Sequence, residues 1–251
     1  MTGTIINVIT VMIGTTLGVA LGNRLPERVR ETVLAGLGIT TIGYAILNII
    51  DAMSNQQNVP LKFIVVMLAL LFGGIAGELL DLDGALHRFG ALLERRFNRS
   101  AGDHDSTAHF IRGFITASLV FCIGPMTILG SIQDGLTGDY GLLGIKSTLD
   151  GFAALAFAAS LGIGVGFSVI TILVLQGGIA LLAGLLQGVF TPPMLAVLSA
   201  TGALLIIGIG LTLLDLKKIR LANFLPALLL GPAFVVILAA LNVSGFQVVA
   251  G

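Results

Sequence analysis

Charged residues are scarce in this chain of 251 residues, at 10% of the total, and tryptophan is absent. A soluble globular domain carries about 25% charged residues, so the composition excludes an ordinary soluble fold. The 13 basic and 13 acidic residues give a formal net charge of zero, and a nucleic-acid partner is not expected. The single cysteine, Cys122, excludes an intrachain disulfide.

Long apolar runs occupy most of the chain instead. Hydrophobic residues make up 56% of the sequence. They fall into about eight runs of roughly 20 residues, the length of a helix that spans the ~30 Å hydrocarbon core of a bilayer. The predicted spans are 4–22, 32–50, 61–80, 110–131, 148–165, 167–187, 194–214 and 221–241. The sequence therefore predicts an all-α polytopic membrane protein, with residues 1–251 in a single transmembrane domain and the lipid bilayer as its partner.

The basic residues favour one side of the membrane. With eight spans, the odd-numbered loops and their edges hold every Lys and Arg except Lys62 and Lys146. Cytoplasmic loops carry an excess of Lys and Arg, so the odd loops are predicted to be cytoplasmic and both termini outside. Residues 1–7 contain no basic residue, so a cleavable signal is not expected. This orientation requires a tight glycine turn at residues 161–168, between spans five and six.

An internal repeat is predicted from two pairs of similar segments. Residues 33–51 align without gaps with 197–215, and residues 7–10 resemble 168–171. Five spans separate the copies, so they run in opposite directions, as in the inverted-topology repeats of many secondary transporters. The predicted organisation is a first repeat (1–80, spans 1–3), a cytoplasmic interfacial helix and linker (81–109), a central glycine- and proline-broken helix pair (110–166) and a second repeat (167–251, spans 6–8). Chance similarity of glycine-rich helices is the alternative.

Polar residues concentrate in the central pair. Pro125 lacks an N–H and clashes with the preceding turn, so span four is expected to break there. Such a break is tolerated in a membrane where it is buried in protein or lines a cavity, and ionisable groups at that depth usually mark ion, proton or substrate paths. The candidate substrate- or ion-binding residues of this segment are Gly124, Pro125, Thr127, Ser131, Asp134, Asp139, Lys146, Ser147 and Asp150.

These residues predict a polar cavity open to the outside. Lys146 and Asp150 have the spacing of a helical ion pair, and Ser147 or Thr148 is expected to cap the start of span five. The alternative is an ordinary outer loop in which Asp150 is an acid favoured by the helix dipole.

Three more polar residues in the spans are candidates for the same site. Glu78, near the end of span three, is either a gating or proton-coupling carboxylate or a solvated interface acid. Asn7 and Gln176 either line the repeat interface or form interhelical hydrogen bonds. Lys62, at a helix start, is expected to extend its amine to the membrane interface.

The motifs of enzymes are missing from the sequence. It contains no His-Glu-x-x-His pair, phosphate-binding glycine loop or nucleophile elbow, so catalytic residues, metal ligands and cofactors are not predicted. Gly14, Gly18 and Gly22 form a ridge of small residues in span one. Such a ridge suits close helix packing within one subunit or between two, and a homodimer is the expectation.

The central run also carries a resemblance to a known family. The segments CIGPM (122–126), GSIQDG (130–135), KS (146–147) and DG (150–151) resemble those of the domain-of-unknown-function 554 family, the YdfK/YqgA-like bacterial inner-membrane proteins. The similarity covers nearly the whole chain. It implies a bacterial cytoplasmic-membrane protein, commonly described as a transport or membrane protein, and it assigns no substrate or site residue.

The sequence thus predicts a secondary transporter or channel-like protein that moves a small polar or ionic solute. The solute is expected to enter near Asp134 and Asp139 and then to meet the broken backbone at residues 124–131. The Lys146–Asp150 pair is expected to shift when a coupling ion binds. The alternative is a membrane scaffold or regulatory subunit that transports nothing and binds a partner through its cytoplasmic loops.

Overall fold

The structure is a computed structural model that describes residues 1–22, 26–54, 56–85, 88, 104–122, 125–186 and 190–246. These parts contain helices and turns and no strand. The first six helices are α1 (Thr2–Gly22), α2 (Glu27–Ser54), α3 (Val59–Leu79), α4 (His104–Cys122), α5 (Pro125–Thr137) and α6 (Gly141–Leu161). After α6 come a 3₁₀ turn (Gly162–Phe167), α7 (Ser168–Ile172), a π-helical turn (Leu173–Gly177), α8 (Gly178–Leu181) and α9 (Ala183–Leu186). The last elements are α10 (Pro192–Leu213), a 3₁₀ turn (Leu221–Phe224) and α11 (Ala227–Ala240).

Several helical segments are suited to a bilayer. Among the described residues, six are long and apolar enough to cross a membrane: Thr2–Gly22, Glu31–Ser54, Val59–Leu79, Gly141–Leu181, Pro192–Leu213 and Leu221–Ala240. The bent pair Ala108–Cys122 and Met126–Thr137 passes the same test as one span and makes seven. The prediction of an all-helical protein with many apolar helices is confirmed, whereas the count of eight spans stays a prediction.

The chain forms two compact units. The first contains residues 1–38 and 86–187, and the second contains residues 39–85 and 188–251. Each unit therefore takes a part of both predicted repeats, so the units do not coincide with the repeat boundaries. The inverted repeat itself stays a prediction.

In the first unit the segment 141–181 turns back on itself. The close contacts pair Gly14 with Gly151, Gly18 with Leu155 and Gly22 with Ala159 of α6, and then Thr15 with Gly166 and Thr4 with Gly177. Residue numbers rise together in the first three pairs and in opposite directions in the last two, so the chain reverses after α6. Gly162 has a φ of 75°, a conformation that favours glycine. The reversal coincides with the glycine turn predicted at residues 161–168, and residues 168–181 are called the returning arm below.

The glycine ridge of α1 makes the closest helix contact in this unit. A Cβ at Gly14, Gly18 or Gly22 would overlap a backbone carbonyl oxygen of α6. Small residues are what allow two membrane helices to approach so closely. The sequence left open whether this ridge packs within a subunit or between two, and the structure packs it within the subunit. The homodimer stays a prediction that cannot use this ridge.

The break predicted in the fourth span is present. α4 ends at Cys122, α5 begins at Pro125, and the two helices are bent by 63°. Proline is favourable at the first position of a helix, because the N–H that it lacks would have no partner inside the helix.

The core of the second unit is formed by α3, α10 and α11. Its buried residues include Val65 and Val66 of α3, Val197 and Ala200 of α10, and Val235 of α11. These side chains are those of valine and alanine. Because they are small, the three helices pack closely through them.

Lys62 lies in the second unit, and its amine extends past the start of α3 to Gln57 but is not exposed to water. Its position at the membrane interface stays a prediction. The residue is 1% exposed. Its Nζ donates to the carbonyl oxygens of Gln57 (2.6 Å) and Gly245 (2.8 Å) and lies 5.3 Å from the centre of the Phe246 ring. Because backbone carbonyls at the start of α3 and near the end of the chain bind the ammonium group, it does not need to reach water.

Candidate functional site

A group of buried polar side chains lies between α1, α6 and the returning arm of the first unit. This buried polar cluster consists of Thr4, Asn7, Lys146, Asp150 and Gln176. Thr4, Asn7 and Gln176 are 0% exposed, and Lys146 and Asp150 are each 7% exposed. Polar side chains buried to this degree are stable only when they bind one another, so their geometry decides what the site can do.

One carboxylate oxygen organises the cluster. The Oδ2 atom of Asp150 accepts hydrogen bonds from Lys146 Nζ and from Asn7 Nδ2, the latter at 2.9 Å. Asn7 Nδ2 also donates to Gln176 Oε1 at 3.1 Å, and Gln176 Nε2 donates to Thr4 Oγ1 at 3.3 Å. The chain of bonds therefore links all three helical elements through one buried ion pair.

The local sequence explains how each element contributes. Lys146 and Asp150 are four residues apart on α6, which places them on the same face of the helix. Thr4 and Asn7 are three residues apart on α1 and share a face for the same reason. Gln176 lies in a π-helical turn, a feature that is frequent at functional sites, and the reversal after α6 brings it back to the level of Asn7.

The cluster is electrically balanced, and Asn7 contributes a buried acceptor without a partner among the described residues. Lys146 and Asp150 cancel each other's charge, which a buried ion pair needs in order to be tolerated. The Oδ1 atom of Asn7 is buried and has no hydrogen-bond partner within the described part of the chain. The site can therefore accept a hydrogen bond from an additional donor, such as an ammonium group, a hydroxyl or water.

Asp134 binds the start of α1. The residue is 2% exposed. Its Oδ2 accepts the backbone N–H of Gly3 at 3.0 Å and lies 2.9 Å from the amino group of Met1. A carboxylate in this position is favoured by the positive end of the helix dipole. The start of α1 covers this side chain, and the expectation that a solute enters near Asp134 and Asp139 stays a prediction.

Asp139 has a different environment. It is exposed, and its carboxylate accepts the N–H of Gly141 at 2.9 Å and the Nε2–H of Gln133 at 2.7 Å. It therefore binds the first residue of α6. The prediction that Ser147 or Thr148 caps this helix is wrong, because the helix begins at Gly141 and the Ser147 hydroxyl donates to the Leu143 carbonyl at 2.6 Å.

The hydroxyl groups after the break in span four bind backbone carbonyls. Thr127 Oγ1 donates to the Phe121 carbonyl of α4 at 3.3 Å, and Ser131 Oγ donates to the Thr127 carbonyl at 2.5 Å. Both residues are buried. A carbonyl freed by the break thus finds a partner across it, as a broken membrane helix requires. Pro125 begins α5, and the predicted site residue Gly124 lies outside the described residues.

Glu78 belongs to the second unit. Its carboxylate pairs with Arg220 Nη1 at 2.6 Å and accepts a hydrogen bond from Asn223 Nδ2 at 2.6 Å. The side chains of Glu78 and Arg220 are 50% and 66% exposed. Asn223 is buried, and its Oδ1 accepts the N–H of Asp83 at 2.7 Å. The amide of Asn223 therefore joins the end of α3 to the turn before α11.

We expect Asn223→Ala to lower the free energy of unfolding by about 1–3 kcal/mol, because it removes a buried amide that accepts the partly buried N–H of Asp83 and donates to Glu78. Thermal unfolding of the purified protein in detergent measures this loss. Asn48→Ala is the matched control, since the Asn48 amide makes, among the described residues, an exposed hydrogen bond to the Tyr44 carbonyl of its own helix. Equal effects of the two changes would contradict a structural role for Asn223.

The sequence missed some parts of the site. Thr4 was not a candidate, although its spacing from Asn7 places both on one face of α1. The periodicity of the sequence gives no signal for the π-helical turn at Gln176. The interhelical hydrogen bond expected of Asn7 and Gln176 is present, and it depends on the reversal at Gly162, which brings Gln176 back beside α1.

Comparisons with known proteins agree with the membrane character of this fold. A family model described as "Protein of unknown function (DUF554)" matches residues 2–236. The Uncharacterized protein YqgA of Escherichia coli K12 is 35% identical over 230 residues, which cover 91% of this chain and 93% of the relative. The Uncharacterized membrane protein YdfK of Bacillus subtilis 168 is 28% identical over 240 residues, 96% of this chain and 98% of the relative. No solved structure matches.

Proposed function

Since this chain belongs to the DUF554 family, whose description assigns no activity, we propose its function from its own geometry: it is a secondary transporter or channel-like protein that moves a small polar or ionic solute across the bacterial cytoplasmic membrane. The buried polar cluster is the proposed binding site. The proposed site does not include Asp139 or Glu78, whose carboxylates bind a helix start and an arginine.

The observation that carries this proposal is the Lys146–Asp150 pair inside apolar helices. Charged side chains within a membrane are costly, and those that are retained usually mark the path of an ion, a proton or a substrate. A purely structural role would be served as well by apolar residues, because replacing a buried ion pair with hydrophobic side chains is often neutral or stabilising. The unused acceptor on Asn7 adds a place for a ligand donor.

The position of the cluster along α1 suits a site reached from one side. Asn7 lies about 8 Å from the start of a helix that is about 31 Å long, at 1.5 Å per residue. Under the positive-inside rule the start of α1 faces outward. We therefore place the site in the outer third of the membrane.

The ion pair offers a mechanism for coupling. In the present arrangement the Lys146 ammonium group is bound to the Asp150 carboxylate. A cation or proton that binds Asp150 competes with Lys146 and releases its ammonium group, which is then able to bind an anionic group of the solute. Each ligand thus favours the arrangement in which the other binds, which is the reciprocity that coupled binding requires.

Ligand-induced stabilisation of the purified protein tests this proposal. A ligand that binds the folded state alone stabilises it by about 2.7 kcal/mol at a hundredfold excess over its Kd. We expect one class among alkali-metal ions, amino acids and small organic acids to raise the Tm of the native protein and of Asp139→Asn, but not that of Asp150→Asn.

Flux measurements complete the test. The solute that stabilises the protein is expected to enter proteoliposomes that contain the native chain. A Tm shift that Asp150→Asn retains would place the site elsewhere. Absence of both stabilisation and flux for every solute of the panel would refute transport and favour a scaffold.

A further inference from the structure

The interior of the first unit is layered along three elements. On α1, α6 and the returning arm, buried residues recur every four positions, which keeps them on one helix face. The first layer is Asn7, Asp150 and Gln176; the second is Val11, Ala154 and Ile172; the third is Thr15, Ala158 and Ser168. Every one of these residues is 7% exposed or less. From the first layer to the third, the residue numbers increase along α1 and α6 and decrease along the returning arm, as the reversal after α6 requires.

The three layers differ in chemistry. The first is the polar cluster described above, and the second is entirely apolar and fully buried. In the third, the hydroxyl groups of Thr15 and Ser168 are buried and have no hydrogen-bond partner within the described residues. Thr15 packs against Gly166, where a Cβ would lie only 3.0 Å from the Thr15 methyl group.

Buried hydroxyl groups without a protein partner are normally satisfied by ordered water. Two such groups in one layer, at the same depth, make a site for hydrogen-bonding molecules without charge. Thr15 lies about 12 Å from Asn7 along the axis of α1, at 1.5 Å per residue. This distance is too long for a direct hydrogen bond, so the two polar layers are separate sites in this conformation.

We propose that Thr15 and Ser168 form a second, inner site that holds water, and that Val11, Ala154 and Ile172 form a closed apolar gate between this site and the buried polar cluster. Apolar constrictions block conduction because they exclude water. The inference deepens the proposed function and rests on it for the role of the gate. Val11 lies at the middle of α1, so the two sites are placed on either side of the centre of the membrane.

Cysteine accessibility in oriented membrane vesicles tests the inner site. The chain has a single native cysteine, so Cys122→Ser gives a background without thiols. In that background Thr15→Cys, Ser168→Cys and Ile172→Cys are treated with a thiol reagent that does not cross membranes. The new thiols react only as hydrated thiolates.

We expect Thr15→Cys and Ser168→Cys to react from the face at which α1 ends, and not from the other face. Ile172→Cys is expected to react about tenfold more slowly or not at all from both faces, because a thiol in an apolar layer stays protonated. Inertness of Thr15→Cys and Ser168→Cys from both faces, in variants that keep the native Tm, would overturn the inner site. Equal reaction from both faces would overturn the gate.

A second pair of variants tests the gate directly. Val11→Thr and Ile172→Thr add a hydroxyl to the apolar layer and are expected to speed the equilibration of pH across proteoliposomes several-fold. Val197→Thr is the matched control, because Val197 is equally buried in the second unit. A leak through Val197→Thr as large as that through the gate variants would refute the gate. Accessibility needs no known solute, so the inner site stands or falls independently of the proposed transport.

Discussion

Asp150→Asn is expected to lower the free energy of unfolding by about 3–5 kcal/mol, the usual loss when one partner of a buried ion pair is removed. The Lys146 amine, 7% exposed, would lose the carboxylate that now binds it. The change also replaces the charged oxygen that accepts the hydrogen bond of Asn7 with a neutral amide, which is a weaker acceptor. Unfolding of the purified protein in detergent, followed by temperature or denaturant, measures the loss.

Two further variants separate this effect from other causes. Lys146→Met combined with Asp150→Asn removes both charges, so the double variant should be more stable than Asp150→Asn alone. Asp139→Asn is the matched control, since Asp139 is exposed and an asparagine can also bind the Gly141 N–H. A loss below about 1 kcal/mol for Asp150→Asn would indicate that water reaches the pair and would contradict its burial.

Gly14→Ala combined with Gly18→Ala is expected to cost about 3 kcal/mol or more, since single overpacking changes typically cost about 1–3 kcal/mol. Each new Cβ would overlap a carbonyl oxygen of α6, at Gly151 and Leu155. Backbone atoms cannot rotate away as a side chain can, so the helices must separate. The Tm of the purified double variant measures the loss.

A glycine elsewhere on the same helix pair provides the control for this variant. Gly144 of α6 has nothing within 4 Å of the position that a Cβ would take. Gly144→Ala should therefore be neutral, or stabilising by about 0.5–1 kcal/mol through helix propensity. Separation of α1 from α6 would also displace Asn7 from Asp150, so the double variant should lose any ligand-induced stabilisation. If Gly14→Ala combined with Gly18→Ala has the same Tm as Gly144→Ala, the close contact between α1 and α6 is contradicted.

Local patterns predicted the parts of the site that depend on one helix. The four-residue spacing of Lys146 and Asp150 predicted their pairing, which the structure confirms. Pro125 predicted the break before α5, and the glycines of residues 161–168 predicted the turn. In each case the information lies within a few residues, where spacing and backbone preference decide the outcome.

Contacts between distant segments could not be predicted from such local patterns. Asp134 and Asp139 are five residues apart in the sequence, yet Asp134 is covered by α1 and Asp139 is exposed. Lys62 is bound by a carbonyl at Gly245, near the other end of the chain. The environment of each side chain depends on which distant helix packs against it, and periodicity within one helix carries no information about that.

The interleaved composition of the two units has a consequence for biosynthesis. α3 leaves the ribosome early, but its partners in the second unit, α10 and α11, follow only after all of residues 86–187. Until then α3 lacks the helices that cover its packing face, whereas the first unit has both of its segments as soon as residue 187 has been made. Because domains generally fold as units during synthesis, the first unit is expected to assemble first. A membrane chaperone that recognises unpaired helices is therefore expected to bind α3.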